Sequence, residues 1–497
     1  MAESLVSTYI LAGLLPILYL LYRWRYVNLY DIPTIGTSAP ILSYLGARKY
    51  ARHAREMLEE GYAKYKGGVF KIATYERWIV VVNGPRMVDE LRKFPDDQVS
   101  FMEAAEDLVH ISYTFGDFDN DPFHIEIVRG QLTRYLASLF GDIRDEIVAA
   151  YNDLIPPSDD WTPIDVLPTM QHIVARVSNR IFVGLPLCRH KEYIDLSIKH
   201  TIQVIKTKDF LNQWPELLQP IAGFFVDESR RSVKVTLALL QPTIDERMNK
   251  AKELGDDWND KPNDLLQWVI DLALEKGKSM ETVAAMILST NFAAIHTSSN
   301  SFTHAIYWLA ACPEYMKPLR EEVEAVVKEE GWTKAALQKM KKLDSFMRES
   351  LRVSGLGSLS LIRKTIKPIT LSTGHRIPPG HIIVATSAAM HLDEEHYPNP
   401  EVFDPFRFSD LRDGDTGEAT KHQYVSTSSD YIPFGHGKHA CPGRFFAANE
   451  LKAMLAHTIV AYDVKFEEEG VRPENIWVAE SCIPNPSTPV LFRRRRD

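Results

Sequence analysis

The chain has 497 residues and a net charge of −9, and 45% of its residues are hydrophobic. This composition is typical of a globular protein with a large core, and the acidic balance argues against binding of nucleic acid. The four cysteines, Cys188, Cys312, Cys441 and Cys482, lie far apart without a CxxC or zinc pattern. Their spacing argues against a disulfide scaffold and suits a reducing compartment.

An apolar segment begins the chain. Leu5 to Leu21 carries no charged residue, and Arg23 and Arg25 follow it directly. The length of the segment and its basic flank predict a helical membrane anchor over residues 1–25, with the body of the protein in the cytosol. A cleaved signal peptide is the competing interpretation, but no basic residue precedes the apolar segment.

The segment after the anchor, residues 26–45, contains two prolines and a glycine between Asp31 and Pro40, and it predicts a stiff hinge. Residues 46–497 contain no linker-like gap and are interpreted as a single domain. Val69 to Ile72 and Trp78 to Val82 predict a β-hairpin, because β-branched and aromatic residues flank a short polar turn.

Residues from Pro85 to about Gly357 follow a mostly helical pattern that Pro and Gly interrupt. A second β region follows, in which Ile369 to Leu371 and Ile382 to Val384 flank a turn rich in Gly and Pro. The predicted fold class is therefore mainly α with small β-sheets (α+β).

A long helix is predicted from about Met280 to Ala310. Small residues in its middle, Ala293 and Ala294, are followed by the polar residues His296, Thr297 and Ser298. On these residues alone, the pattern favours a polar kink, with hydroxyl groups bonded back to helix carbonyls. A further helix, Leu343 to Val353, places Glu349 and Arg352 on one face at i, i+3 spacing, where the two side chains can pair.

The segment Phe434 to Gly443 is a glycine-rich loop that contains Cys441 and Pro442. Because Pro suits the first position of a helix, the sequence predicts that Cys441 lies at a helix N-terminus, where the helix dipole favours a thiolate. An anionic sulfur surrounded by amide donors suits an axial ligand of haem iron. A buried, inert cysteine in a turn is the alternative.

This loop resembles the haem-binding loop of the cytochromes P-450, the haem-thiolate monooxygenases, with His439 at a position where most members have Arg. The resemblance implies a cytochrome P-450 fold and haem b, with Cys441 as the iron ligand and Phe434 shielding the sulfur. Ala293 to Ser298 is similar to the oxygen-binding motif of the family. That likeness implies that Thr297 relays protons, with Ser298 beside it and His296 at the position of the usual acid.

Three further sets of residues follow from the resemblance. Phe403 to Phe408 is similar to the Pro-Glu-Arg-Phe motif, with Phe406 in place of Glu, and implies a buried, structural ion triad. The triad consists of Glu349, Arg352 and Arg407. The residues implied as partners of the haem propionates are His124, Arg129, Arg363 and His439. The residues expected to dock a reductase are Lys438, Arg444 and Arg134.

The resemblance therefore implies a monooxygenase that activates O2 with electrons from NADPH, delivered by NADPH-cytochrome P-450 reductase, a flavin enzyme. The loop and neighbouring motifs look like fungal members of secondary metabolism, which implies hydroxylation of a lipophilic natural product, a terpenoid. The pocket is expected between residues 101–115, 202–225 and 356–361 and Ala293. The expected location is the endoplasmic reticulum membrane, with one anchor and a cytosolic catalytic domain.

Two alternatives remain open from the sequence. A haem-thiolate isomerase or dehydratase would need no reductase, but the presence of Thr297 argues against it. A membrane-anchored haem protein without catalytic activity is the second alternative, and His296 in place of an acid favours it. Dependence on a reductase separates both from the monooxygenase.

Overall fold

The computed structural model describes residues 13–17, 19, 29–39, 42–116, 118, 121–212, 214, 218–226, 228–412 and 420–496. Among these residues, no helix combines the length and the apolar character needed to cross a membrane. The predicted anchor, residues 1–25, lies largely outside the described residues.

The described chain is mostly helical with small sheets, as the sequence predicts. The helices are α1 (Ser43–Lys64), α2 (Gly84–Leu91), α3 (Phe101–Val109), α4 (Ile111–Thr114), α5 (His124–Ile127), α6 (Thr133–Leu154), α7 (Val166–Phe182), α8 (Lys191–Leu211), α9 (Gln219–Gly223), α10 (Glu228–Leu254), α11 (Leu265–Glu275), α12 (Met280–Ala311), α13 (Met316–Glu330), α14 (Lys334–Lys339), α15 (Lys341–Val353), α16 (Ala388–His391), α17 (Arg407–Arg412) and α18 (Arg444–Ala461). A π-helical turn, Val128–Leu132, joins α5 to α6.

Helix α12 is the centre of the helical core. It begins where the Ser279 hydroxyl accepts a hydrogen bond from the Thr282 amide, 3.2 Å away. Most of its side chains are buried on all faces, because α7, α8, α10, α11, α15 and α18 pack around it. A helix buried on most of its surface belongs in the interior. The predicted bounds agree with the observed ones to within one residue.

The strands form one larger sheet and three small ones. They are β1 (Thr34–Ile35), β2 (Val69–Ala73), β3 (Trp78–Val82), β4 (Val99–Ser100), β5 (Thr162–Ile164), β6 (Leu359–Thr365), β7 (Ile369–Thr370), β8 (Arg376–Ile377), β9 (Ile382–Thr386), β10 (Tyr462–Lys465), β11 (Ile476–Val478), β12 (Ser481–Ile483) and β13 (Val490–Arg494). The six-stranded sheet has the order β1-β2-β3-β9-β6-β4, and the others are β10-β13-β5, β11-β12 and β7-β8.

The predicted hairpin is confirmed, since β2 and β3 pair antiparallel with Val69 opposite Val82. The second β region differs from its prediction. Strand β7 pairs with β8, whereas β9 is inserted between β3 and β6, with Val80 opposite Ile383. Such long-range pairing leaves no local signal in the sequence. Strand β1 pairs with β2, so part of the predicted hinge lies on the sheet.

Candidate active site

A cavity of about 1130 Å³ lies between α12 and the loop that carries Cys441. Its other walls come from α3, the segment around Phe115, the start of α5, strand β6 and the turn between β2 and β3. The sequence prediction of the pocket is largely reproduced, since residues 101–115 and 356–361 and Ala293 contribute lining residues. From the predicted segment 202–225, the described lining residues are Lys208 and Asp209.

The Cys441 loop is closed by its own backbone. The Cys441 amide donates a hydrogen bond to the Phe434 carbonyl oxygen, 2.8 Å away. Gly435 and Gly437 have φ of 69° and 78°, which a side chain would disfavour. A Cβ at Gly437 would also lie 3.1 Å from the Arg92 side chain. The glycines therefore allow the loop to fold tightly and hold the cysteine at the cavity wall.

The helix after the loop starts later than the sequence predicts. Helix α18 begins at Arg444, with Gly443 as its N-cap, so Cys441 lies three residues before the helix and Pro442 is not its first residue. Burial is the largest influence on Cys441 and raises the pKa of its thiol, while the Gly443 and Arg444 amides act in the opposite direction. The amides still face the sulfur, and a metal cation bound to the sulfur would deprotonate it outright.

The opposite wall is the middle of α12. Ala293 and Thr297 are exposed to the cavity, one helical turn apart, and Ser298 also lines it. The Thr297 hydroxyl donates to the Ala293 carbonyl oxygen at 2.7 Å. This is the back-bonding that the alternative interpretation of the motif expects. The hydroxyl nevertheless faces the cavity, where its oxygen can accept a hydrogen bond.

The prediction that His296 takes part in catalysis does not match its placement. Its Nε2 lies 2.9 Å from the Ile198 carbonyl oxygen of α8, and its Nδ1 lies 3.4 Å from Gln171 Nε2 of α7. The ring therefore faces the neighbouring helices, because consecutive helix residues point about 100° apart and Thr297 takes the cavity side. Burial lowers the pKa of His296, which favours the neutral ring.

All four residues predicted to bind propionates line the cavity: His124, Arg129, Arg363 and His439. His124 is buried, and within the described part of the chain its Nδ1 has no hydrogen-bond partner. Burial lowers the pKa of His124 to about 4 and that of Arg363 to about 10. Arg363 donates to the Ile362 carbonyl oxygen at 2.7 Å. Buried donors of this kind favour an anionic partner.

His439 has a partner that the sequence did not suggest. Its Nε2 lies 2.5 Å from an oxygen of Asp96, whose second oxygen binds the Lys438 ammonium. Asp96 is more than 300 positions away in the chain, and no local pattern marks it. Of the other residues expected to dock a reductase, Arg444 donates to the Cys441 carbonyl oxygen at 2.9 Å, and Arg134 is exposed.

The three residues of the predicted ion triad lie together behind the loop. Arg352 donates two hydrogen bonds to the Glu349 carboxylate, at 2.8 and 2.7 Å, and both side chains are fully buried. Arg407 Nε lies 3.1 Å from the same carboxylate. Arg352 also donates to the His391 carbonyl oxygen, and the His391 ring accepts from the Ile432 amide. This chain of bonds reaches the segment that leads into the Cys441 loop.

Other residues that shape the cavity were missed from the sequence. Phe118 and Phe292 line it, and both contact the ring of Phe115, at 6.4 and 5.2 Å between ring centroids. Their aromatic character was visible, but aromatic residues are common in cores. Only the folded arrangement, in which Phe292 of α12 and Phe118 both meet Phe115, shows that they face the cavity.

These groups fit a haem. The cavity of about 1130 Å³ is lined by Cys441 and by the small side chain of Ala293, which leaves room for a macrocycle. His124 and Arg363 are buried residues of the cavity lining whose nitrogens can bind carboxylates. The fold and the site define the class of haem-thiolate proteins.

Comparison with known proteins agrees with this class. The family model described as Cytochrome P450 matches residues 33–492. Cytochrome P450 monooxygenase 110 of Postia placenta is 49% identical over 500 residues, which cover 100% of this chain and 99% of that protein. Cytochrome P450 monooxygenase 103 of the same fungus is 50% identical over 492 residues, 98% of each chain. Cytochrome P450 monooxygenase CYP512U6 of Ganoderma lucidum is 39% identical over 476 residues, 95% of this chain and 93% of that protein.

The chain belongs to the cytochrome P450 family. It is a haem-thiolate monooxygenase, and the predicted family and enzyme class are confirmed. Members of this family bind haem iron through a cysteine thiolate and receive electrons from a redox partner, so the same holds here. Membership in this enzyme family argues against the alternative of a haem protein without catalytic activity.

Proposed function

We propose that this enzyme hydroxylates a lipophilic natural product of the terpenoid class in fungal secondary metabolism. One observation carries the proposal: the cavity of about 1130 Å³ beside Cys441 and Thr297 is lined mainly by apolar side chains. Cavities of roughly 300–1,000 Å³ hold ordinary small ligands, so this one has room for a cofactor and a bulky apolar substrate. The lining supports a substrate that is mostly hydrocarbon.

When bound, the haem supplies the activation of dioxygen and the oxidation of the substrate. Cys441 would hold it from one side through its thiolate, with the Gly443 and Arg444 amides directed to the sulfur. His124, Arg129 and Arg363 would bind its carboxylates. Phe434, in edge contact with Tyr424 at 5.5 Å, would keep water from the sulfur.

Thr297 would position the proton needed for the reaction. Because its hydroxyl hydrogen is directed to the Ala293 carbonyl oxygen, Thr297 Oγ1 is oriented to accept a hydrogen bond from a water in the cavity. Ser298 lines the same wall. His296 is assigned no proton transfer, since both of its ring nitrogens face α7 and α8.

The proposed electron donor is NADPH-cytochrome P-450 reductase, which docks on the side of the Cys441 loop. Lys438 of the loop, Arg444 of α18 and the exposed Arg134 of α6 are the proposed sources of positive charge. Reversing all three charges is expected to slow reduction of the iron, and unchanged reduction kinetics would exclude this docking surface.

We further propose attachment to the endoplasmic reticulum membrane through residues 1–25. A second apolar surface supports membrane contact. Ile221, Phe224 and Phe225, in and just after α9, are 62%, 82% and 74% exposed. Exposed apolar groups of this size mark interaction surfaces. They follow α8, whose last turn lines the cavity, so a substrate dissolved in the bilayer would have a short path to the site.

The first experiment is the carbon monoxide difference spectrum of the reduced protein, with Cys441→Ala as the control. A strongly red-shifted Soret band that Cys441→Ala lacks is expected from thiolate ligation. Incubation with terpenoids, the reductase and NADPH should then give products heavier by one oxygen atom. Product formation without NADPH would support the isomerase or dehydratase instead. If Cys441→Ala keeps the red-shifted Soret band of the wild type, Cys441 is not the iron ligand.

A further inference from the structure

Positive side chains line the cavity in two separate places. Beside the Cys441 loop are Arg129 and Arg363, which the carboxylates of haem would occupy. Lys208, in the last turn of α8, also lines the cavity and is half-buried. Its position needs another explanation, because Lys208 lies away from the loop.

The length of helix α3 gives the distance between these two places. Its first residue, Phe101, lies against the Arg363 guanidinium, 5.8 Å from the ring centroid. Beyond its other end, His110 Nε2 lies 2.7 Å from Asn212 Oδ1, and the Asn212 amide donates to the Lys208 carbonyl oxygen. Nine helical residues span roughly 12–14 Å. Lys208 is therefore at the end of the cavity away from the loop. Tyr75, Glu76 and Asp209 also line the cavity and are exposed, so we call this end the entrance and define it by these three residues and Lys208.

The other charged side chains around the entrance have partners. Asp107 binds both Arg77 and Lys364, and Glu76 accepts a hydrogen bond from Asn212 at 2.6 Å. Asp209 also takes part in an interaction of its own. For Lys208, no carboxylate of the described residues lies within ion-pair distance. Among the described residues, Lys208 is thus an unpaired ammonium on the wall of a cavity whose lining is mainly apolar.

An unpaired cation beside apolar surface favours a ligand that brings an anion. We propose that Lys208 binds the carboxylate of a lipophilic acid and so directs the hydrocarbon end of the substrate toward Thr297. The wall between them, which includes Leu108, Ile111 and Phe115, suits that hydrocarbon. This inference rests on the proposed function and narrows its substrate class to amphipathic acids.

The phosphate of a lipid headgroup offers similar chemistry, because the apolar surface at Phe224 and Phe225 follows α8. The substrate carboxylate is favoured by the half-buried position of Lys208 on the cavity wall. By contrast, Lys206 on the same helix is exposed and is not among the described lining residues. Lys206 therefore provides a matched control.

The test uses the full-length holoenzyme and pairs of acids with their methyl esters: dodecanoic, palmitic and dehydroabietic acid. Binding is measured by the shift of the Soret band and independently by titration calorimetry. The wild type is expected to prefer at least one acid over its ester by about tenfold, the strength of one charge-assisted hydrogen bond. Lys208→Met should abolish this preference, Lys208→Arg should keep it, and Lys206→Met should leave it unchanged.

Three results would overturn the assignment: no acid preference in the wild type, a preference that survives Lys208→Met, or an equal loss in Lys206→Met. Binding to vesicles with and without phosphatidylserine distinguishes a lipid headgroup from a substrate carboxylate as the partner of Lys208. If Lys208→Met weakens only vesicle binding, the anion belongs to the membrane. An acid preference without NADPH-dependent product would refute the proposed hydroxylation but leave the role of Lys208 intact.

Discussion

The two ends of the cavity are built differently. The Cys441 side is held by buried groups, such as Glu349 and Arg352, whose side chains are fully excluded from solvent. The entrance is held by polar pairs between partly exposed side chains, such as Glu76 and Asn212. Partly exposed pairs contribute little to stability, whereas breaking a buried ion pair is costly. The cofactor side is therefore expected to be rigid, and the entrance is expected to open at low cost.

The largest effect is expected at the buried triad. In Glu349→Gln, the guanidinium groups of Arg352 and Arg407 lose their carboxylate, and the free energy of unfolding should fall by about 3–5 kcal/mol. Chemical denaturation measures this change, and loss of haem absorbance should accompany it. Arg407→Met should cost less, because Arg352 remains paired with Glu349. A loss below about 1 kcal/mol in Glu349→Gln would contradict the structural role of the triad.

The next effect concerns α12, between the two ends. Thr297→Val removes the hydroxyl but keeps the shape, and product formed per NADPH should fall about a hundredfold, as for a lost proton-transfer group. Thr297→Ser should retain most of the product formed per NADPH. Both variants should unfold at nearly the same temperature as the wild type. Equal amounts of product per NADPH in Thr297→Val and Thr297→Ser would show that the hydroxyl has no role in proton transfer.

A third prediction is a pH dependence from the cofactor side. Glu450 of α18 is buried, and burial raises its pKa to about 8 although the Ser178 hydroxyl donates to it at 2.8 Å. The folded state therefore keeps a proton that the unfolded carboxyl has already lost. The free energy of unfolding should fall as pH rises from about 5 to about 8, by at most about 1.4 kcal/mol per pH unit.

Denaturation of the wild type and Glu450→Gln across this pH range measures that contribution. The amide does not titrate, so the variant should lose the part of the slope that Glu450 supplies. Two parallel curves would mean that Glu450 is charged in the folded state or that its pKa is unshifted.

The smallest effect is expected at the entrance. Asn212→Ala removes the hydrogen bonds to Glu76 and His110, and the unfolding free energy should change by less than about 1 kcal/mol. Ligand association and dissociation, measured by stopped-flow, should both become a few times faster. A double-mutant cycle with Glu76→Ala isolates the pair. A stability loss as large as that of Glu349→Gln would remove the distinction between the two ends.

Local sequence patterns determined the long helix α12, the hairpin of β2 and β3 and the loop at Cys441. Each depends on neighbouring residues: a continuous apolar helix, β-branched strands around a short turn, and glycines that allow positive φ. The same residues carried the resemblance to the cytochromes P-450, and the family is confirmed.

Tertiary structure decided what local patterns leave open. In the folded chain, His296 faces α7 and α8, and Asp96 binds His439. Strand β9 lies between β3 and β6, and Lys208 lies at the cavity entrance. All of these depend on contacts between residues far apart in the chain, whose free energy is set by packing and burial. The sequence alone thus identified the family and the loop that carries Cys441, and only the fold decided which side chains line the cavity beside it.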